Sequence, residues 1–208
     1  MTKKTWTAFA LGVIATTALF ALVATPRTTV HADDQPDGQA LFEMMQKAKR
    51  YTEPSAMHKV LERFIGTWET KTSFVMAGQK TPPEPGVAKI DWLMEGRWLK
   101  VESKGSLMGR PIDGFSIMGY DNFKMSFVTT AVQTMDTSMV RMEGDLDPGG
   151  DMLIMYGTLD EYTTGEHDKM VKQVWRIESK DRMVVEIHDL PIGAKNTQVV
   201  DVTYTRKK

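Results

Sequence analysis

Cysteine is absent from all 208 residues. That excludes disulfide staples, thiol catalysis, iron–sulfur clusters, cysteine zinc sites and lipid attachment through a thioether, so the fold must be held by its apolar core. Excess basic charge is missing too: 26 Lys and Arg stand against 27 Asp and Glu, with no stripe that could neutralise a row of phosphates. Nucleic acid is not an expected partner. No Gly-x-Ser-x-Gly elbow or visible paired base marks a serine hydrolase, so no reaction can be read and no cofactor is expected.

What is present begins with an export pattern. Lys3 and Lys4 precede an uncharged, largely apolar run from Thr5 to Pro26, and Val30-His31-Ala32 supplies a small-x-small cleavage pattern. Residues 1–32 are therefore expected to be a signal peptide, and the protein to be periplasmic or extracellular. Thr5 to Ala24 is also about long enough to span a bilayer as a helix. Thr7, Gly12, Thr16 and Thr17 disfavour a permanent span, so a membrane enters only through an uncleaved signal. Without the leader the chain carries a charge of about −4 and is long enough for one domain with a single core. Residues 33–54 read as a tether with a short helix, and 55–208 as the main domain.

Two short helical patterns come first. Leu41, Met44, Met45 and Ala48 recur at near-helical spacing within Gly38 to Arg50. After Glu53-Pro54, Ser55 can cap a second helix from Ala56 to Ile65, with Met57, Val60, Leu61 and Phe64 on one face. From Gly66 the period becomes two. Phe64 to Met76, Val87 to Met94, Phe123 to Gln133 and Ser138 to Leu146 alternate apolar and polar residues. Arg97 to Ser106, Pro111 to Gly119, Asp151 to Leu159, Asp168 to Glu178, Arg182 to Asp189 and Thr197 to Arg206 are rich in β-branched and aromatic residues between turn formers. About ten strands result.

The breaks at Glu95-Gly96, Tyr120-Asp121-Asn122, Asp147 to Gly150 and Ser179 to Asp181 are too short to cross a sheet, so consecutive strands must be antiparallel neighbours. The expected fold is mainly β: an antiparallel up-and-down barrel, since closure alone removes both edges. Longer connections, Ala77 to Gly86, Leu107 to Arg110, Thr134 to Thr137, Asp160 to His167 and Leu190 to Asn196, gather at the opposite rim. That rim is the expected mouth, and the N-terminal helix the plug of the other end. Parity and aromatic bulk assign the lining to Phe74, Met76, Ile90, Trp92, Phe127 and Tyr156, around a small, largely apolar ligand. The alternative is a barrel filled by its own methionines and aromatics that serves a partner through its loops.

A helix leading into Gly66-x-Trp68, with Arg206 two residues beyond Tyr204 on the last strand, resembles the lipocalin and wider calycin barrels. The resemblance implies that Trp68 packs across the closed end beneath Arg206, with Gly66 part of that closure. His58-x-x-Leu61, Gly66-x-Trp68, Glu95-Gly96-Arg97-Trp98-Leu99, Gly109-x-Pro111-x-x-Gly114 and Gly119-Tyr120-Asp121 together resemble the bacterial domain-of-unknown-function family numbered fifteen seventy-nine. That family implies a calycin-like fold and an open function. Calycin-like haem proteins use a histidine from a late strand, which makes His188 the weaker alternative of a haem-binding or enzymatic barrel. Parity puts His188 outside, opposite Met183, Val185 and Ile187.

Other chemistry has simpler explanations. His58 is expected to pack and hydrogen-bond within the plugging helix, and His167 to sit in a solvated charge cluster with Glu166 and Asp168. Asp145-x-Asp147-x-Gly149-Gly150-Asp151 partly follows a calcium loop, yet glycine stands at its fifth position and no glutamate at its twelfth, as in a hairpin. Sixteen methionines raise copper binding, but Met139 and Met142, like Met152 and Met155, point to opposite faces of their strands; flexible core packing accounts for them.

Overall fold

Alternation carries most of the chain into strands. The structure, a computed structural model, describes residues 37–76, 79–161, 164–190 and 197–208. The expected export signal lies outside the described residues. The chain divides into two units after Gln46, with Lys47–Lys208 forming the second. Helix α1 (Gly38–Thr52) starts in the first, where the Asp37 carboxylate accepts the Ala40 N–H at 2.7 Å, and none of its side chains is buried. Among the described residues no helix is long and apolar enough to cross a membrane.

In the second unit α2 (Ala56–Val60) tightens into a 3₁₀ turn over Leu61–Phe64, then gives way to strands. These are β1 (Gly66–Met76), β2 (Gln79–Lys80), β3 (Glu84–Met94), β4 (Trp98–Leu107), β5 (Arg110–Asp121) and β6 (Ser126–Gln133). β7 (Val140–Leu146), β8 (Met152–Glu161), β9 (Glu166–Ser179), β10 (Arg182–Asp189) and β11 (Thr197–Arg206) complete them. Every neighbouring pair is antiparallel, and β1 pairs with both β3 and β11. The ring therefore closes through ten strands, with β2 a short flap on β1. This is the expected calycin-like barrel, and the N-terminal plug is present: Leu61 and Phe64 are fully buried in its core.

Three local expectations needed correction. Phe123 and Met125 are off-strand: the Asp121 carboxylate takes the Phe123 and Lys124 N–H groups at 2.8 and 3.2 Å, and Met125 turns to φ 54°. The turn is stronger than the alternation, and both side chains are exposed. Leu107 to Arg110, expected as a long loop, is a two-residue turn in which Met108 and Gly109 take φ 51° and 76°. The plug is a broken helix, because the chain must swing from α2 into β1 within a few residues.

The plugged end explains Gly66. Trp68 sits opposite Arg206, whose guanidinium lies 4.2 Å over the indole and donates to the Ile65 carbonyl at 2.6 Å. A Cβ on Gly66 would stand 2.0 Å from that guanidinium, at φ 151° where side chains are strained. Gly66→Ala should cost about 2 kcal/mol or more in urea unfolding. Gly105→Ala, where a Cβ meets nothing within 4 Å, should stay within about 0.5 kcal/mol of the parent.

Candidate functional site

Inward side chains sort by depth. Beside the plug Trp68, Ile90, Leu99, Met118, Phe127, Leu153 and Met183 are closed off from solvent. Toward the loop rim the inward residues Phe74, Ser103, Val140, Leu159 and Ile187 are only partly buried. Burial of the inner wall therefore falls from the plugged end toward the loop rim. Four methionines, Met118, Met142, Met155 and Met183, make up part of the inner wall.

The six expected lining residues do not converge. Ile90, Trp92 and Phe127 face inward but at the plugged end: Ile90 pairs with Gly66, Trp92 with Leu99, and Phe127 meets Tyr120 edge-on at 5.0 Å. Phe74 stands at the rim, opposite Val200. Met76 ends β1, and its side chain lies outside the described residues. Tyr156 requires correction. It is 48% exposed, because Leu153 and Met155 take the inward positions of β8 and alternation turns Tyr156 outward.

His188 lies on the outer face, where it pairs with Lys172 and Gln198 and approaches Glu186 at 3.9 Å. Burial and Lys172 hold its pKa below the ordinary histidine range. An interior haem has no ligand there. The Asp147 carboxylate accepts the Met152, Asp151 and Gly149 N–H groups at 2.8, 3.0 and 3.2 Å, which lowers its pKa and makes a hairpin cap of the calcium-like loop. His167 is exposed beside Asp160 at 3.4 Å. Among the described residues no cluster of His, Asp and Glu could hold a metal.

The rim holds what sequence reasoning missed. Lys169 pairs with Leu159, and Asp189 with the fully buried Val171, so both point inward. Lys169 Nζ lies 2.9 Å from Asp189 and 3.4 Å from Glu161, with its side chain only 17% exposed. The bond to Asp189 outweighs burial and raises its pKa. An inward lysine gives no periodic signal, since a charge reads as an outer residue.

Most of the remaining motifs meet at the plug, while Gly109-x-Pro111-x-x-Gly114 lies on the β4–β5 hairpin at the other rim. His58 Nδ1 accepts the Ser55 N–H at 2.9 Å, which leaves its proton on Nε2 for the Tyr120 carbonyl. Arg97 donates to the Thr52 carbonyl at 2.5 Å and Asn122 to that of Glu53 at 2.8 Å, pinning the chain ahead of α2. Trp98 faces Gly119, where a Cβ would press into the indole at 2.2 Å, so the strand itself needs this glycine. The sequence pattern of the DUF1579 proteins, a family of unknown function, matches residues 53–206.

The chain belongs to that family. No curated protein matches it in sequence. Among solved structures, Rv2717c from M. tuberculosis superposes with a TM-score of 0.53 at 9% identity, over 75% of this chain and 100% of its own. The S-type phycobiliprotein lyase CPES from Guillardia theta does so with a TM-score of 0.52 at 11% identity, over 74% of this chain and 94% of its own. Both likenesses are of fold. In this DUF1579 chain His58, Arg97, Trp98, Gly119 and Tyr120 lie together at the plug, away from Lys169 and Asp189 at the rim.

Burial, followed by the Arg97 charge, holds the His58 pKa below its ordinary value. Such a histidine is neutral when folded and takes up a proton on unfolding, so its stabilisation is complete above about pH 6.5 and is lost as pH falls through the lowered folded value. Urea midpoints should drop between pH 7.5 and 5. In His58→Gln, which retains an N3 capping acceptor, that drop should be measurably smaller.

Proposed function

We propose that this protein is an exported barrel that takes a small, largely apolar ligand through its loop rim. The graded burial of the inner wall carries the reading: side chains closed off beside the plug become partly open at Phe74, Val140, Leu159 and Ile187. Those residues offer apolar surface that a guest would remove from water, worth about 25 cal/mol per Å². The methionines beneath can change rotamer to admit guests of varied shape. Export rests on the leader-like residues Lys3 to Ala32. The protein superposes on a phycobiliprotein lyase as a fold only, so the ligand reading stands on the wall itself.

A second reading has its own observation. Two grooves, of about 530 and 520 Å³, lie outside the ring. One runs from Arg63 to Arg206 by the plug, the other from Lys71 to Thr203 beneath the β2 flap. A barrel filled by its own side chains would work through such surfaces, with a partner protein in place of a ligand.

An apolar fluorescent dye separates the two readings. It should brighten with the wild-type protein and fail to do so with Phe74→Glu, whose thermal midpoint should stay close to the parent's because Phe74 is at the half-open rim. Equal brightening with both proteins would place the dye elsewhere and remove the support for a rim site.

A further inference from the structure

Building on the ligand reading above, we infer that the interior selects a neutral apolar molecule carrying a carbonyl oxygen, which enters with that oxygen toward Trp175. The inward row of β9 runs Lys169, Val171, Gln173, Trp175, fixed by pairing with Leu159, Gly157, Met155 and Leu153. Successive members stand about 7 Å apart, so the row extends from the rim to the floor.

At the floor Trp175 is 5% exposed, edge-on to Phe64 at 5.6 Å and tilted against Tyr204 at 5.7 Å. Its indole Nε1 is buried without a hydrogen-bond partner. Buried donors are rarely left so, and an indole N–H can only donate, so whatever satisfies it must bring an acceptor. Tyr204 beside it keeps its proton, its pKa pushed up to about 12 by burial, and offers no anionic acceptor. Apart from Gln173, one inward position toward the rim, the neighbouring wall is Leu153, Val185 and Met183, which suits an alkyl body.

A charged cluster at the rim bears on the charge of the guest. Among the described residues Lys169 is bonded to both Asp189 and Glu161, a cluster of two carboxylates and one ammonium. A carboxylate entering there meets the Asp189 and Glu161 carboxylates and then the buried wall around Trp175, where the described residues place no cation. A ketone, ester or amide meets neither obstacle. An ammonium would be welcomed at the rim and then find a donor, Trp175, where it needs an acceptor.

The test uses methyl octyl ketone, decane and decanoate displacing an apolar dye from the full chain, with the Trp175 indole proton followed by NMR and assigned through Trp175→Phe. The ketone should move that resonance downfield, decane should not, and Trp175→Phe should weaken the ketone about tenfold while leaving decane unchanged. Decanoate should bind more weakly than the ketone, and Asp189→Asn with Glu161→Gln should narrow the gap. An unmoved indole resonance, or equal loss of ketone and decane in Trp175→Phe, overturns the inference while leaving an apolar site intact. Decanoate binding as tightly as the ketone overturns the charge selection. If neither decane nor ketone displaces the dye, the ligand reading itself fails, and this inference with it. Should Trp175→Phe not fold, the wild-type resonance still decides.

Discussion

The pairing of β1 with β11 is the contact on which the rest of the molecule depends. Without it the sheet would end in two edges of unpaired backbone, and inward side chains would face water. Trp68 opposite Arg206 sets the register of that seam. The guanidinium covers the indole, bonds the Ile65 carbonyl and reaches the Lys180 carbonyl at 2.9 Å, so one side chain ties the plug, the first strand and the β9–β10 turn together. The indole N–H of Trp68 donates to Phe64 at 3.0 Å, which fixes the plug from beneath.

A closed ring then imposes a division of labour. One end is packed by Leu61, Phe64, Trp68, Trp175 and Tyr204 around the plug. His58, Arg97, Trp98 and Asn122 brace the same end. Lys169, Glu161 and Asp189 stand at the rim and have no part in the plug. Side chains there can change without disturbing the packing that seals the barrel.

Much of this was legible from residues alone. Phe64 to Met76 alternates cleanly because one face of β1 meets the core and the other meets water, and Trp68 and Arg206 were recognisable at the two ends of the barrel sequence. Tyr156 was misplaced for the opposite reason: Met152 to Tyr156 is apolar at every position, so period two gives no phase until Leu153 and Met155 are seen to be the buried pair. Phe123 and Met125 obeyed the strand period but were overruled by the Asp121 turn. Ile90, Trp92 and Phe127 had the correct face but the wrong depth, since parity gives a direction and says nothing of height along the barrel.

The sequence by itself determined the strands, their antiparallel succession and the inward set of the clearly alternating segments, because those depend on neighbours within one turn or one hairpin. Tertiary structure decided which strands meet at the seam, how deep each side chain lies and that Lys169 turns inward. The physical reason is range: the bond from Arg206 to Ile65 joins groups 141 residues apart, and no local pattern specifies a contact at that separation.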